Sequence, residues 1–533
     1  MTATIASLQT LLLLIAVLVV VALAAQRLRI AAPILMVLAG IALAAVPGLP
    51  RFELSPEFVL LFVLPPVIYA SGVSMSWREF KFNLRPIGLL AIGGVLFTTV
   101  ALAITLHYLL GFPLALGFLL GAILSPPDAI APLAIARDLG VPRRIVVVLE
   151  GEGLVNDATA LVLYRFAVAA VATGAFSLGA ALGRFVLILA GEILYGLAIG
   201  WLSLRLRSWA HNPRVEIVMS LMTPYLAFWP PAHLGGSGVL ATVATGLYVS
   251  WNGPLQISAS TRLQGIFFWD LTIYVIDGLV FLYTGLQMRT LYEHVHAGEL
   301  RWMLAITALA TAVAIVARFL WMWPATYLPR WLSKKLAQRD PAPPWQAPFM
   351  VSFVGIRGVV SLAAALALPM VTRDGRPFPH RDLFLFVAFG VIVVTLVGQG
   401  LSLPWLIRRL GLGRGGEEER QHELAQERAA REHVISHGTH RLEELATERG
   451  LPPPVVDHVR TTFGHQQHRD VPDDVQQLER TADELQLEII TEQRRVLHRL
   501  LREGMLSDES RRRLERDLDL EEEALRHELD LAL

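Results

Sequence analysis

Glu150-Gly151-Glu152-Gly153-Leu154-Val155-Asn156-Asp157 places three carboxyl groups and an amide inside a run that otherwise reads as membrane-spanning helix. Arg144-Ile145-Val146-Val147-Val148-Leu149 precedes it and Ala160-Leu161-Val162-Leu163-Tyr164 follows. An ionisable side chain at mid-bilayer costs roughly 2.5–3.5 kcal/mol on insertion scales. Such groups persist where they face a cavity, pair with an opposite charge or bind an ion. A second interruption lies just upstream, at Ser125-Pro126-Pro127-Asp128. Two polar breaks in consecutive spans suggest a path for a cation or a proton.

Pro126 and Pro127 remove two backbone donors and disfavour helix at the residue before them; Pro132 does so again further on. A helix broken in this way leaves unpaired carbonyls on one side and unpaired N–H groups on the other. A bilayer tolerates that only beside a cavity or compensating groups. Asp128 sits where its charge can neutralise the free N–H end of the second half-helix. A proline kink with a capping aspartate accounts for this break equally well when it is taken alone.

In the next span Glu152 and Asn156 are four apart and share a helix face, whereas Asp157 lies about 100° round from Asn156. One side chain can therefore be structural while its neighbour faces a cavity. Asp157 is the candidate for a carboxylate that holds either a proton or a small cation, with hard oxygen chemistry suited to an alkali ion. Glu152 reads better as a buried carboxylate paired with arginine. Arg318, deep in Ala312-Val-Ala-Ile-Val-Ala-Arg318, needs a carboxylate partner. Arg357, in Val354-Gly-Ile-Arg357-Gly-Val-Val360, has glycines on both sides, which permit an unwound helix whose carbonyl ends the guanidinium could neutralise. Tolerance for close packing explains those glycines just as well. If the segment is broken, it mirrors the 125–128 break, and matched breaks in two halves mark inverted-repeat transporters.

Composition sets the frame. Of 533 residues, 54% are hydrophobic and 17% charged, too apolar for a soluble chain of this size. The absence of cysteine excludes disulfides and thiol chemistry. Thirteen spans are expected, at 6–25, 30–47, 56–75, 85–110, 113–138, 143–172, 177–206, 214–231, 235–252, 265–288, 301–328, 347–370 and 383–410. Arginine and lysine concentrate in alternate connections (Arg27 and Arg29; Arg78, Lys81 and Arg85; Arg137, Arg143 and Arg144), which puts the N-terminus outside and the C-terminus in the cytoplasm. The fold class expected is an all-α polytopic membrane protein, with a transmembrane domain over 1–412 and a cytosolic helical tail over 413–533. Gly411–Gly416 reads as a linker. The tail carries seven histidines between His422 and His468, read as solvated surface, and Pro452-Pro453-Pro454 separates its helices.

Five motifs in order resemble the monovalent cation:proton antiporter family, the prokaryotic Na⁺/H⁺ antiporters and animal sodium/proton exchangers. They are Leu64-Pro-Pro-Val-Ile-Tyr69, Pro127-Asp128-Ala-Ile-Ala131, Glu152-Gly-Leu-Val-Asn156-Asp157, Ala317-Arg318-Phe-Leu320 and Gly355-Ile-Arg357-Gly-Val-Val360. The likeness covers roughly residues 55–412. It implies an inverted-repeat fold with the fifth and twelfth spans broken, a homodimer in the cell membrane, and a moving core. It implies that Asp157 binds the cation or proton, that Glu152 pairs with Arg318, and that Asp128 and Arg357 compensate the broken helices. The Asn-Asp pair implies electroneutral exchange of one Na⁺ for one H⁺, with K⁺ or Li⁺ as alternatives to Na⁺. Cation ligands are then expected from Asp157, Asn156, Asp128 and Ser125, with no cofactor, nucleotide or nucleic acid.

The chain departs from the family at two places. Tyr69-Ala70-Ser71 stands where many members carry an acid, and Gly153 where many carry serine. Asp277 is an extra intramembrane carboxylate, read either as part of the ion path or as interfacial near a dimer cleft. Glu192 reads as interfacial or facing a cavity. A channel lacks any filter-like loop here. An intramembrane aspartyl enzyme would have Asp128 and Asp157 as its acids, but arginine partners favour ion handling. No phosphate-binding loop suggests ATP-driven pumping.

Overall fold

The computed structural model describes residues 2–47, 55–173, 178–294, 298–372 and 375–456, and scattered residues beyond 456. Contacts divide the chain into two units, Met1–Glu419 and Arg420–Leu533. Among the described residues the architecture is helical, with one isolated bridge between Val371 and Pro377. Among the described residues, seven helices are long and apolar enough to cross a membrane, and three shorter apolar helices accompany them.

In chain order the first unit runs α1 (Thr2–Leu28), α2 (Ala32–Ala44), α3 (Pro56–Ser74) and α4 (Leu84–Leu110). Then come α5 (Leu114–Leu124), α6 (Ile130–Asp138), α7 (Arg143–Thr173), α8 (Leu178–Ala210), α9 (Pro213–His233) and α10 (Val239–Gln256). The remainder are α11 (Ala259–His294), α12 (Leu300–Leu332), α13 (Gln346–Phe353), α14 (Val359–Leu366) and α15 (Arg381–Leu410). Pro65 and Pro66 cannot donate, and α3 widens by one turn at Val59–Val63 just before them. Pro126 and Pro127 have the stronger effect. They fall between α5 and α6, and helix stops at Leu124 and resumes at Ile130.

Apolar side chains collect in several buried clusters, some of which join the early and late helices. Leu102 and Leu106 of α4, Leu119 and Ile123 of α5, Ile306 of α12, Leu362 of α14 and Phe384 and Val391 of α15 form one. Val37 of α2, Leu18 of α1 and Phe281 of α11 belong to another, and Leu240 and Val243 of α10 pack with Ile68 of α3 in a third. Close backbone contact joins α2 to α11. A Cβ on Gly40 or Gly285 would collide with the backbone of the facing helix, so α2 and α11 meet at backbone distance. Small residues do this where lipid gives helices no hydrophobic reason to associate.

Glu192 of α8 has a capping role that its place in the sequence does not reveal. It is 3% exposed and accepts from the backbone N–H groups of Ser237, Gly238 and Leu240 and from the Ser237 hydroxyl. A carboxylate here satisfies the orphan donors at the start of α10 and meets the positive end of its dipole.

The 411–416 glycines depart from expectation. Gly411 ends α15 with φ +68°, and a new helix, α16 (Leu412–Arg449), begins immediately. A Cβ on Gly416 would collide with the carbonyl of Gly140, in the turn between α6 and α7, and Glu419 accepts from the backbone N–H of Arg143 at 2.8 Å. In the second unit, His437 and His440 are exposed on α16. The side chains of the other five histidines lie outside the described residues.

Candidate functional site

The 125–129 segment is held by a segment far along the chain. Helix stops at Phe353, the end of α13, and resumes at Val359, the start of α14. The two non-helical stretches meet and exchange polar groups. The Asp128 N–H donates to the Ile356 carbonyl at 2.7 Å. Arg357, 1% exposed, donates Nη1 to the Ser125 carbonyl at 2.5 Å, and its own N–H donates to Thr395 Oγ1 at 3.0 Å. Asp128 Oδ1 accepts from the Ile130 N–H at 3.0 Å, at the first turn of α6. The cation thus sits at the carbonyl end of α5 and the acid at the N–H end of α6, the arrangement that offsets both partial charges. Asn156 Nδ2 donates to the Pro127 carbonyl at 2.7 Å and satisfies a further orphan.

Glu152 and Arg318 form a buried two-pronged ion pair, with Nη1–Oε1 at 2.6 Å and Nη2–Oε2 at 2.8 Å. Arg318 also donates Nε to the Val351 carbonyl at 3.1 Å, so one guanidinium ties α12 to α7 and α13. Both oxygens of Glu152 are thus turned to Arg318, which neutralises its charge. Asp157 differs. It is half-buried, and no hydrogen bond or ion pair engages it among the described residues.

Asp157 faces a cavity of about 890 Å³. Asp128, Gly153 and Val360 share its wall with Ser71 of α3 and Asp277 of α11, and Arg137 and Glu150 stand towards the α6–α7 turn. Six carboxyl groups and three arginines line it, so its formal charge is negative and it concentrates cations. Ser125 and Asn156, both buried, lie behind that wall, and their side chains bond to backbone carbonyls. Ser71 is in the wall, and its hydroxyl donates to the Val67 carbonyl at 2.9 Å. Gly153 is explained by space, since a Cβ there would lie 2.8 Å from that of Ala129.

Two wall residues escape a sequence reading. Arg207, near the end of α8, looks in sequence like a loop charge, yet it is 6% exposed and donates to the Tyr69 hydroxyl at 2.9 Å. Glu216 is 5% exposed in the same wall. Their signal is faint, because charged groups within a turn of a helix end look the same whether they face lipid headgroups or a cavity. Glu150, from the opening motif, pairs with Arg137 at 3.4 Å.

A family model for the transmembrane part of sodium/hydrogen exchangers matches residues 13–409. The chain belongs to the sodium/hydrogen exchanger family. An uncharacterized Na⁺/H⁺ exchanger of Mycobacterium bovis is 35% identical over 521 residues, 96% of this chain and 94% of that protein. A sodium, potassium, lithium and rubidium/H⁺ antiporter of Bacillus pumilus is 34% identical over 392 residues, 70% of this chain and 57% of that protein. The sodium proton antiporter MjNhaP1 of Methanocaldococcus jannaschii shares the fold, with a TM-score of 0.56 at 17% identity over 78% of this chain and 99% of that one. This exchanger is accordingly a multi-pass membrane transporter and not an enzyme. Its cavity, with an unpaired acid in the wall, lies within the matched segment.

Proposed function

We propose that the exchanger carries out electroneutral antiport, one monovalent cation against one proton, with the two competing for the Asp157 carboxylate. The observation that carries this is the contrast one and a half turns apart on α7. Glu152 is locked by Arg318, whereas Asp157 has no cationic partner and faces the cavity. A carboxylate in that setting needs either a proton or a metal cation, and each excludes the other. One titrating acid then exchanges one charge for one charge. Asp128, Asn156, Ser125 and Arg357 hold the crossing of the two broken segments and keep Asp157 in place.

In this reading the chain crosses the cell membrane thirteen times, the fifth and twelfth crossings being α5 with α6 and α13 with α14. The N-terminus is outside, the C-terminal helices are cytoplasmic, and the protein is a homodimer. The group α4 to α7 with α12 to α15 moves against the rest and carries Asp157 from one face to the other. Na⁺ is the leading cargo. The relative named for sodium, potassium, lithium and rubidium favours K⁺ as a second cargo, as does a wall with Ala70 and Gly153 in place of further ligands.

Proteoliposomes with an acidic lumen test this. Added Na⁺ collapses the pH gradient in the wild type, and an imposed membrane potential leaves the rate unchanged. Asp157→Asn shows no cation-dependent collapse. Retained exchange in that variant would refute the assignment, and a potential-driven rate would refute electroneutrality.

A further inference from the structure

Asp277 is left over once the crossing, the Glu152–Arg318 pair and Asp157 have been accounted for. It lies on α11, whose cavity face reads Arg262, Ile266, Asp270, Ile273, Asp277, the three- and four-residue spacing of one helix side. Asp270 stands two turns nearer the start of α11, about 10 Å from the level of Asp277. Asp277 is half-buried, and no hydrogen bond or ion pair engages it among the described residues. Asp128, Asp157 and Asp277 line one and the same cavity.

Two further polar atoms at this crossing lack partners. Asp128 Oδ2 is buried without a hydrogen-bond partner. Ser361 of α14, 2% exposed and part of the same wall, also has an unpartnered hydroxyl. Buried polar atoms are rarely left so. From the α3 side, Ala70 brings no oxygen and Ser71 only a neutral hydroxyl. Beyond Asp128 and Glu150, anionic oxygen reaches this cavity from α9 and α11, and of the two α11 acids Asp277 lies further from the helix start.

We propose that Asp277 is a second ligand of the transported cation, supplied by the helix group that does not carry Asp157. The inference rests on the antiport reading above. α11 is held to α2 at backbone contact through Gly40 and Gly285, so Asp277 belongs to a rigid wall. A cation shared by Asp157 and Asp277 bridges the two helix groups. Movement of one group against the other must strip Asp277 away, so this acid sets cation affinity on the face to which the cavity opens and not on the opposite face.

The test uses the full-length exchanger in vesicles of known orientation, with Na⁺ and Li⁺ as probes. Asp277→Asn exchanges at a near-normal maximal rate, with the half-saturating cation concentration raised roughly tenfold on one face, the size of one lost charged ligand. The opposite face is unchanged, and Asp277→Glu restores most of the affinity. An unchanged half-saturation on both faces overturns the proposal. A fall in maximal rate at unchanged half-saturation also overturns it and assigns Asp277 a structural role. Melting temperature in detergent separates misfolding from either result. Exchange surviving in Asp157→Asn would instead bring down the antiport reading itself, an outcome distinct from any given by position 277.

Discussion

The guanidinium of Arg357 reaches back 232 residues to the carbonyl of Ser125. The contact closes the open end of α5 with a charge that belongs to the later half of the chain. The same crossing is fastened a second time by the Asp128 N–H on Ile356. Arg357→Ala leaves a buried carbonyl unsatisfied, which costs about 1–3 kcal/mol, and the void where the side chain was adds to the loss. The expected result is a lower melting temperature in detergent and loss of exchange. Lysine at 357 restores little, because the contact is long and directional.

Glu152→Gln strands a buried guanidinium. Removing one member of such a pair costs about 3–5 kcal/mol, whereas replacing both with apolar groups of similar size is often neutral. The single variant therefore expresses poorly and melts early, and Glu152→Leu with Arg318→Met recovers much of the stability. Thermal melting of the two side by side decides the point. Two independent losses that simply add would show that the ion pair is not the unit of stability.

Gly358 lies against the carboxyl group of Asp128, and a Cβ there would collide with it. Overpacking at a buried contact costs about 1–3 kcal/mol, and here the displaced group is an acid in the cavity wall. Gly358→Ala therefore loses most cation-dependent proton flux even where folded protein is recovered by size-exclusion chromatography. Full activity in that variant would mean that the Asp128 position is not required.

Asp340, between α12 and α13, gathers three arginines, at 2.6 Å from Arg85, 2.7 Å from Arg144 and 2.9 Å from Arg330. Burial pushes its carboxyl up, but the hydrogen bond and charge of Arg144, followed by Arg330 and Arg85, prevail and hold it below the usual carboxylate range. A depressed acid contributes stability above its unfolded pKa, near 3.9, and that contribution is lost as pH falls through the folded value. Asp340→Asn is expected to destabilise the exchanger by roughly 1–3 kcal/mol at neutral pH. The gap to wild type should shrink below about pH 4. A gap that is constant down to pH 3 would contradict this sign.

How far the sequence reaches depends on the distance of each partner. Pro126 and Pro127 act on their own backbone, so the interruption after Leu124 is legible locally. Arg318 must find a carboxylate because it is deep, a conclusion available from hydropathy. That the carboxylate is Glu152 follows from family resemblance or from coordinates, not from helical spacing. Asp277 stays ambiguous in sequence because α11 is long and mostly apolar, and its few charges do not declare which side faces water. The capping role of Glu192 is not legible in sequence, since the N–H groups it caps begin 45 residues later, at Ser237. The 411–416 glycines read as a flexible linker because composition records missing side chains and not what occupies the space they leave.

That space is filled by the turn between α6 and α7. Gly416 meets Gly140 at backbone contact, and Glu419 grips the first N–H of α7. The first turns of α16 are thereby bolted to the joint between the helix that Asp128 caps and the helix that bears Asp157. Any bulkier residue at 416 would prise the first turns of α16 from this seat.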